Sequence, residues 1–575
     1  MASTTALFTG LSGLSANARS LDVIGNNIAN SNTTAYKSNR MLFASQFSRN
    51  FSIGTVPSAN TGGTNPGQVG LGVTVAGTQR DFSGGALSAT GDARDLAIEG
   101  DGLFIVNRGG TPFYTRAGSF RQNSTNDIVT ISGERVQGYA VDDNFNIVSG
   151  ALTDLNIPVG TLTLAEATRS VRFAGNLNAA GDVPTQGSRH TLNPFDLLSG
   201  PVGSDLLTLD SLLTDFQDPI NLGNPLFTDG QKFEISGSQR GTKTIPTASL
   251  DITSTTTVQE MIDFLNAALG VNTSISANPD GNVPGVSLDP ATGVLTVVGN
   301  TGEVNDLDFR SSDFRILNAD GTVSSTPFTF AREAEADGES VRNTFVVFDS
   351  LGTAINVDLT MVLESKQGGN GTTWRYYSDS DDDSDLATAL NTGTVDFDAN
   401  GRIVGTPSFD LRIDRTGTGA ASPLDFSIQF SSDSDSVTAL ASQSSALAAT
   451  YQDGAPIGTL SSYSVGTNGI ITGAFTNGLT RTVGQIALAT FSNAEGLVDI
   501  GSNLFTPGPN SGTAVVGPAQ ELGAGRIVGG ALELSNVDLS QEFINLILAS
   551  TGYSAASRVI TTTDQLMQQL LVLGR

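Results

Sequence analysis

Two end segments of this chain carry the same hydrophobic repeat. Near the start, Leu7, Leu11, Leu14, Ala18, Leu21 and Ile28 follow alternating steps of four and three, with Gly25 completing the series. At the finish, Leu539, Phe543, Leu546, Ser550, Tyr553, Ser557, Ile560, Asp564, Met567 and Leu571 repeat the step. A period of 3.5 keeps one seam of a helix turned toward a neighbouring helix along its length. Neither segment can bury that seam alone. The pattern therefore predicts α-helical coiled-coil segments at both ends that pair in a polymer, flanking a mostly β multidomain body. The expected assembly seam is Leu7, Leu11, Leu14, Leu21 and Ile28 with Phe543, Leu546, Tyr553, Ile560, Met567 and Leu571.

The 575 residues exceed what one hydrophobic core supports. Gly is abundant at 66 residues and charged residues make up 15%, a mixture that favours short strands and many turns. A net charge of −28 excludes nucleic acid, which needs clustered Lys and Arg, and disfavours an anionic membrane surface. No cysteine is present, so disulfides and thiolate chemistry are absent. No stretch approaches the ~18 apolar residues of a membrane span, and the N-terminus lacks a signal-peptide pattern.

Along the chain, residues 1–30 read as the N-terminal coiled-coil helix, weakened at Gly10, Gly13 and Gly25 by about 1 kcal/mol each relative to Ala. Such a helix gains stability only when its seam is packed. Residues 31–70 read as an extended arm anchored by Met41, Phe43, Phe47 and Phe51, and residues 71–158 as the first part of an inner β domain. Within it, Leu96, Ile98, Phe104 and Val106 flank Glu99-Gly100-Asp101-Gly102, predicting a hairpin. Residues 159–434 read as an outer β domain with an inserted module at about 200–325. That module is predicted to hold a helix with Val258, Met261, Ile262, Leu265 and Leu269 on one stripe, capped by Thr257 and Glu260 and stopped by Gly270. A hairpin comes next, with Val286 and Leu288 facing Val294, Leu295 and Val297. Residues 435–525 return to the inner β domain, and 526–575 hold the C-terminal helix, capped by Asp538 with Gln541.

Nothing in the sequence forms an active site. The one histidine, His190, lacks a motif that would make it a general base and is read as an ordinary surface residue. One His without Cys excludes most zinc sites. The acidic run Asp379, Asp381, Asp382, Asp383 and Asp385 has Ser384 and Leu390 where a calcium loop begun at Asp379 needs Gly and Glu, so it is read as a solvated loop. Trp374, Tyr376 and Tyr377 fit a sugar-stacking cluster, but a strand with a core-facing aromatic explains them better. The reading is a non-enzyme without metal or cofactor.

Several strings resemble one family. Ile24–Asn30 (IGNNIAN) followed by Tyr36 and Lys37 is similar to the N-terminal signature of bacterial flagellar rod, hook and hook-associated proteins. Asp95–Phe104 (DLAIEGDGLF) and Tyr114–Phe120 (YTRAGSF) resemble strings of that family's inner β domain, and Ser535–Leu539 (SNVDL) precedes the C-terminal helix as it does there. Asp349-Ser350-Leu351-Gly352 with Ile355, Val357 and Leu359, and Val395–Gly401 (VDFDANG), resemble the outer domain of the family's hook branch. Ser550 and Thr551 stand where the family usually has Gln-Arg, and Leu103 replaces the first Phe of a Gly-Phe-Phe string.

The resemblance implies a subunit of a curved, flexible tube that joins the flagellar motor to its filament, outside the cell. It implies partners: further copies of itself, the distal rod, the hook cap, the hook–filament junction proteins and the flagellar type III export apparatus. A distal-rod-type protein and a secreted, adhesin-like β-rich surface binder are the competing readings; the second explains the strands but not the paired heptads.

Overall fold

The computed structural model describes residues 2–193, 195–198, 207–289, 291–431 and 436–573. The expected boundaries at 200 and at 434/435 fall outside them. The chain divides into two compact units, Met1–Thr163 with Thr459–Arg575, and Leu164–Gly458. Strands dominate, and the long helices are α1 (Ala2–Ala29) and α3 (Leu539–Leu573) at the two ends, with α2 (Val258–Ala268) between them.

In the first unit, antiparallel strands run in the order Ile470–Phe475, Thr480–Thr490, Arg135–Tyr139, Leu103–Arg108, Thr111–Thr115, Leu504–Thr506 and Val498–Gly501. Three N-terminal strands thus lie between C-terminal strands on either side of one sheet, so neither part closes a core alone. Leu103, Ile105, Tyr114, Ala487, Ala489 and Phe505 form a core on one face. The segment expected as an extended arm is instead built into two-stranded ribbons: Asn39–Ser45 lies antiparallel to Val73–Arg80, and Ser48–Ser52 to Gly67–Gly70. Its outer part is bare, with Phe47 88% and Phe51 69% exposed.

The hairpin expected across Glu99–Gly102 does not form. Leu96–Glu99 pairs with Arg526–Gly529, and Leu103–Arg108 pairs with Thr111–Thr115 and Arg135–Tyr139. The Gly-Asp-Gly turn is used to change sheets; Gly100 and Gly102 take φ of +102° and +123°, open to glycine alone at low cost.

The second unit holds two cores. Ser340–Phe348, Ala354–Lys366, Thr372–Asp379 and Ala389–Phe397 form one antiparallel sheet. A second sheet, built on Ser170–Asn176, Ser408–Ile413 and Leu424–Gln429, shares a core with it in which Trp374 is fully buried. Tyr376 and Tyr377 are buried as well, which removes the aromatic cluster as a sugar platform. The other core spans Leu192 to Phe328 and is rich in phenylalanine. There α2 carries the expected capping box, with Thr257 and Glu260 exchanging hydrogen bonds, and Gly270 stands after it at φ +62°. The expected hairpin is present, Val286 opposite Val297 and Leu288 opposite Leu295.

Two readings of single residues are corrected in this unit. His190 is 1% exposed, not a surface residue. It sits in the strand Gly187–Leu192, its ring 4.6 Å from that of Phe309, and neither ring nitrogen has a hydrogen-bond partner among the described residues. Burial, reinforced by Arg332, pulls its pKa below the ordinary 6.5. The unfolded chain therefore takes up a proton below pH 6.5 that the folded chain refuses. This contribution to stability is complete above 6.5 and declines as pH falls toward the lower folded value. A His190→Phe variant is expected to lose that slope below pH 6.5 in urea titrations; an unchanged slope contradicts the assignment.

The acidic run is not a solvated loop throughout. Asp379 is 2% exposed and binds Arg240 and, at 2.9 Å, Lys243, which also reaches Asp358 at 2.6 Å and Asp381 at 2.9 Å. Arg342 adds hydrogen bonds to the carbonyls of Arg240 and Val304. Burial works to raise the Asp379 carboxyl, but Arg240 and Lys243 outweigh it and hold it below the usual range. Asp382 accepts from the Asn356 amide. Sequence patterning misses this network because Arg240 and Lys243 lie more than a hundred positions away. The network ties the Phe-rich core to the neighbouring sheet, with Arg240 and Lys243 contributed by the one and Asp358 and Asp379 by the other. Arg240→Ala with Lys243→Ala in the intact chain keeps both acids covered and is expected to cost roughly 3–5 kcal/mol, and adding Asp358→Asn with Asp379→Asn to recover most of it in chemical denaturation.

Candidate functional site

The residues that carry the family resemblance come from four distant strings, and the first unit gathers them at one joint. After α1, Ala35 turns with φ +56° and donates its amide to the Glu533 carbonyl at 2.8 Å. That contact places Lys37 beside Glu533. Lys37 Nζ donates to Glu533 Oε1 at 2.7 Å and to the Ser83 carbonyl at 2.6 Å. Arg116 Nε donates to Glu533 Oε2 at 2.5 Å, and its two terminal nitrogens take the carbonyls of Gly102, Ile98 and Gly100. The Gly85 amide also donates to Glu533 Oε1 at 2.8 Å. Lys37, Arg116 and Glu533 are all buried.

One carboxylate thus clamps the segment after α1, the sheet-changing turn and the strand leading to α3. Burial pulls the Lys37 ammonium below its ordinary range, opposed by Glu533. Burial also works to raise the Glu533 carboxyl, but Arg116, with the Lys37 and Gly85 hydrogen bonds, holds it below the usual carboxylate range.

Asparagines complete the joint. Asn27 accepts from the Asn39 amide at 3.0 Å and from the Tyr36 hydroxyl at 3.2 Å, and donates to the Asn39 carbonyl and to Glu542. Asn536 accepts from the Ser38 amide at 2.8 Å and donates to the Asp81 carbonyl. The Asp538 carboxylate caps α3 by accepting from the amides of Ser540 and Gln541. These are side chains that bond to backbone in non-helical segments, which is why they end α1 and begin α3.

Beyond the joint, α1 and α3 run antiparallel in contact. A Cβ added to Gly10 would stand 2.9 Å from Ile560 Cγ1, one at Gly13 3.6 Å from Ala556 Cβ, and one at Gly552 2.9 Å from Asn17. Gly10 and Gly13, two of the three glycines that weaken α1 in isolation, are positions where α3 approaches closely, whereas Gly25 has no such neighbour within 4 Å. Ala16, Ile24, Ala549 and Thr563 are buried there. The heptad pattern does not reveal this stripe of small residues, although Gly10, Gly13 and Asn17 and, opposite, Ala549, Gly552 and Ala556 repeat at helical spacing.

The expected seam residues are only partly used by this contact. Leu7, Leu14, Leu21, Ile28, Leu546, Ile560 and Met567 are half-buried. Leu11, Phe543, Tyr553 and Leu571 are exposed, Leu571 by 70%. Ile544, Ile547, Leu548, Leu566 and Leu570 are exposed beside them, so α3 presents a long apolar surface that no described residue covers. Among the described residues no group of acids, histidines or cysteines could hold a metal ion, and no helix is long and apolar enough to cross a membrane.

Comparison with known proteins places these features in a family. The flagella basal body rod protein model matches residues 7–37, and the flagellar hook protein FlgE/F/G D1 domain model residues 97–175. The flagellar basal body protein FlaE D2 domain model matches 317–455, and the flagellar basal body rod FlgEFG protein C-terminal model 528–573. The chain is 28% identical over 575 residues to the flagellar hook protein FlgE of Treponema pallidum, covering 99% of each. It is 28% identical over 568 residues to that of Escherichia coli, covering 98% of each. A crystal structure of the Helicobacter pylori flagellar hook protein FlgE2 aligns with 78% of this chain and all of its own, at 19% identity and a TM-score of 0.37. The four family models fall on the strings that build the joint and on the second unit, and full-length likeness to hook proteins joins them: the chain belongs to the bacterial flagellar rod and hook protein family, a family of structural proteins and not of enzymes.

Proposed function

We infer that this chain is the structural subunit of a bacterial flagellar hook, self-assembling into a curved, flexible tube that transmits torque from motor to filament. The observation that carries the reading is the bare apolar surface of α3, from Phe543 to Leu571, on a helix already packed against α1 along its small-residue stripe. A surface of this size stays covered in a functioning protein. Packing of many such helix pairs as coiled coils, along the seam Leu7, Leu11, Leu14, Leu21, Ile28, Phe543, Leu546, Tyr553, Ile560, Met567 and Leu571, covers it.

In this reading the helix pairs form the inner wall of the tube, where close packing resists twist. The second unit, Leu164–Gly458, belongs to the outer layers, where contacts must exchange as the tube bends. The distal rod, the hook cap, the hook–filament junction proteins and the flagellar export apparatus are the partners this role requires, and the site of action is outside the cell. The absence of cysteine suits a chain exported unfolded. The adhesin-like reading loses its support with the burial of Trp374, Tyr376 and Tyr377.

Electron microscopy of the purified chain under polymerising conditions is expected to show curved tubes. Globular monomers under every condition, or flat sheets, would overturn the reading.

A further inference from the structure

Glu542 lies in the first turn of α3, and only one of its carboxylate oxygens is used. Oε1 accepts from Asn27 Nδ2 at 3.1 Å, whereas Oε2 is enclosed and has no hydrogen-bond partner among the described residues. The Glu542 side chain lines a cleft of about 330 Å3 formed by α1, the strand Asn39–Ser45 and α3, into which the carboxylate turns to expose Oε2 when a donor arrives. Val23, Met41, Phe43 and Leu548 give that cleft apolar walls. Arg40 also borders it, but its Nε and Nη2 are both held by Gln79 Oε1, at 2.8 and 2.5 Å.

An enclosed carboxylate oxygen without a donor is costly, and apolar walls around it deepen the cost. The chemistry that relieves it is a cation on an aliphatic stem: the stem packs on the walls and the head donates to Oε2. A bare metal ion does not fit, because a single carboxylate beside the amides of Asn17 and Asn545 offers too few hard ligands. An arginine side chain does.

One arginine of this chain has the complementary setting. Arg49 lies in the exposed strand Ser48–Ser52, its side chain has no hydrogen bond or ion pair among the described residues, and it stands between Phe47 and Phe51, both largely exposed. The strand path from Phe43, which borders the cleft, to Arg49 covers about 20 Å at ~3.3 Å per residue and leads away from Glu542, so Arg49 serves a different molecule. The side chains of Arg19 and Arg558 are also without a partner among the described residues, but neither is flanked by exposed aromatic rings.

We propose that Arg49 of a second copy of this chain docks its guanidinium on Glu542 in this cleft, with Phe47 and Phe51 closing over the apolar walls. The contact would set the register of one subunit on the next, since an ion pair within an apolar seam is satisfied at only one offset. It rests on the assembly reading above.

The test uses the full chain purified as monomer, with the concentration needed for sedimentable tubes as readout. Arg49→Glu and Glu542→Arg are each expected to raise that concentration about tenfold or more, the scale of close charge pairs at interfaces. Arg49→Glu should leave the circular dichroism and melting of the monomer unchanged, and Glu542→Arg, which also gives up the Asn27 hydrogen bond, should keep the circular dichroism of the folded monomer. The double reversal, Arg49→Glu with Glu542→Arg, is expected to return assembly to within about threefold of the parent. Single reversals without effect, a double reversal without rescue, or rescue of Glu542→Arg by Arg40→Glu, Arg19→Glu or Arg558→Glu instead would overturn the pairing. A parent chain that never forms tubes would overturn the assembly reading and the pairing with it, an outcome distinct from tubes that ignore the reversals.

Discussion

Glu533→Ala is expected to unfold the unit that carries it. The substitution removes the one acid held between Lys37 and Arg116, leaving two cations buried without a counter-charge and the Gly85 amide without its acceptor. Breaking a buried pair from one side costs about 3–5 kcal/mol, and here a single deletion breaks two pairs. Against the roughly 5–15 kcal/mol that holds a folded domain together, that is a large fraction. The second unit has its own cores, so unfolding should become biphasic: an early transition for the unit made of Met1–Thr163 with Thr459–Arg575, and an unshifted one for Leu164–Gly458. Differential scanning calorimetry of the monomer reads this directly. A single transition at the parent temperature would show that the clamp contributes little. The depressed Glu533 carboxyl gives a second, milder readout in the parent. Its stabilisation is present above the unfolded value of 4.5 and is lost as pH falls through the lower folded one, so the first transition should move to lower temperature below pH 4.5.

How much of this is legible in the sequence depends on the range of the interaction. Local signals are readable: the Thr257–Glu260 capping box, the stop at Gly270, the hairpin at Val286–Val297 and the Asp538 cap are all set by residues within a few positions of each other. Both terminal helices are readable because heptads repeat many times. Reading fails where a partner lies far along the chain. Asp379 and Asp385 look alike in sequence, yet Arg240 and Lys243 reach across to Asp379 and make it part of the interior. His190 has no nearby signal of burial, because Phe309 and Arg332 enclose it from other parts of the chain. The turn at Gly100–Gly102 obeys hairpin chemistry locally, but the strands on its two sides find better partners in Arg526–Gly529 and Arg135–Tyr139.

The joint shows a different kind of partial legibility. Resemblance points at the strings IGNNIAN, DLAIEGDGLF, YTRAGSF and SNVDL without saying what they do. The fold supplies the reason: Asn27, the carbonyls of Ile98, Gly100 and Gly102, Arg116 and Asn536 are the parts of one buried clamp around Glu533 and its neighbours. The heptad pattern, in turn, describes a single stripe. The helices have two: small residues on the face where α1 meets α3, and large apolar residues on the face left bare.

Ile547→Asp is expected to abolish assembly while leaving the subunit folded. Ile547 stands on the bare face of α3 with 63% of its surface exposed, so in the monomer the carboxylate is solvated and stability should change by no more than about 0.5 kcal/mol. On the proposed packing, the same position in a tube is enclosed by neighbouring helices. Each copy then buries an unpaired charge, at a cost of several kcal/mol, and forfeits the roughly 1.5–3 kcal/mol of a buried aliphatic side chain. Because every subunit makes the contact with several others, the loss recurs along the polymer and should remove tubes altogether. Ile220→Asp provides the comparison, since Ile220 is still more exposed, at 78%, but belongs to the second unit. It adds the same charge and removes the same side chain, so general effects on solubility or net charge appear equally in both variants. The measurement is the number of hooks per cell in an otherwise hookless strain, after confirming equal amounts of exported protein, with sedimentation of the purified variants as a second readout. Hooks lost with Ile220→Asp and retained with Ile547→Asp would place the assembly energy in the outer unit and refute the terminal helices as the spine of the tube.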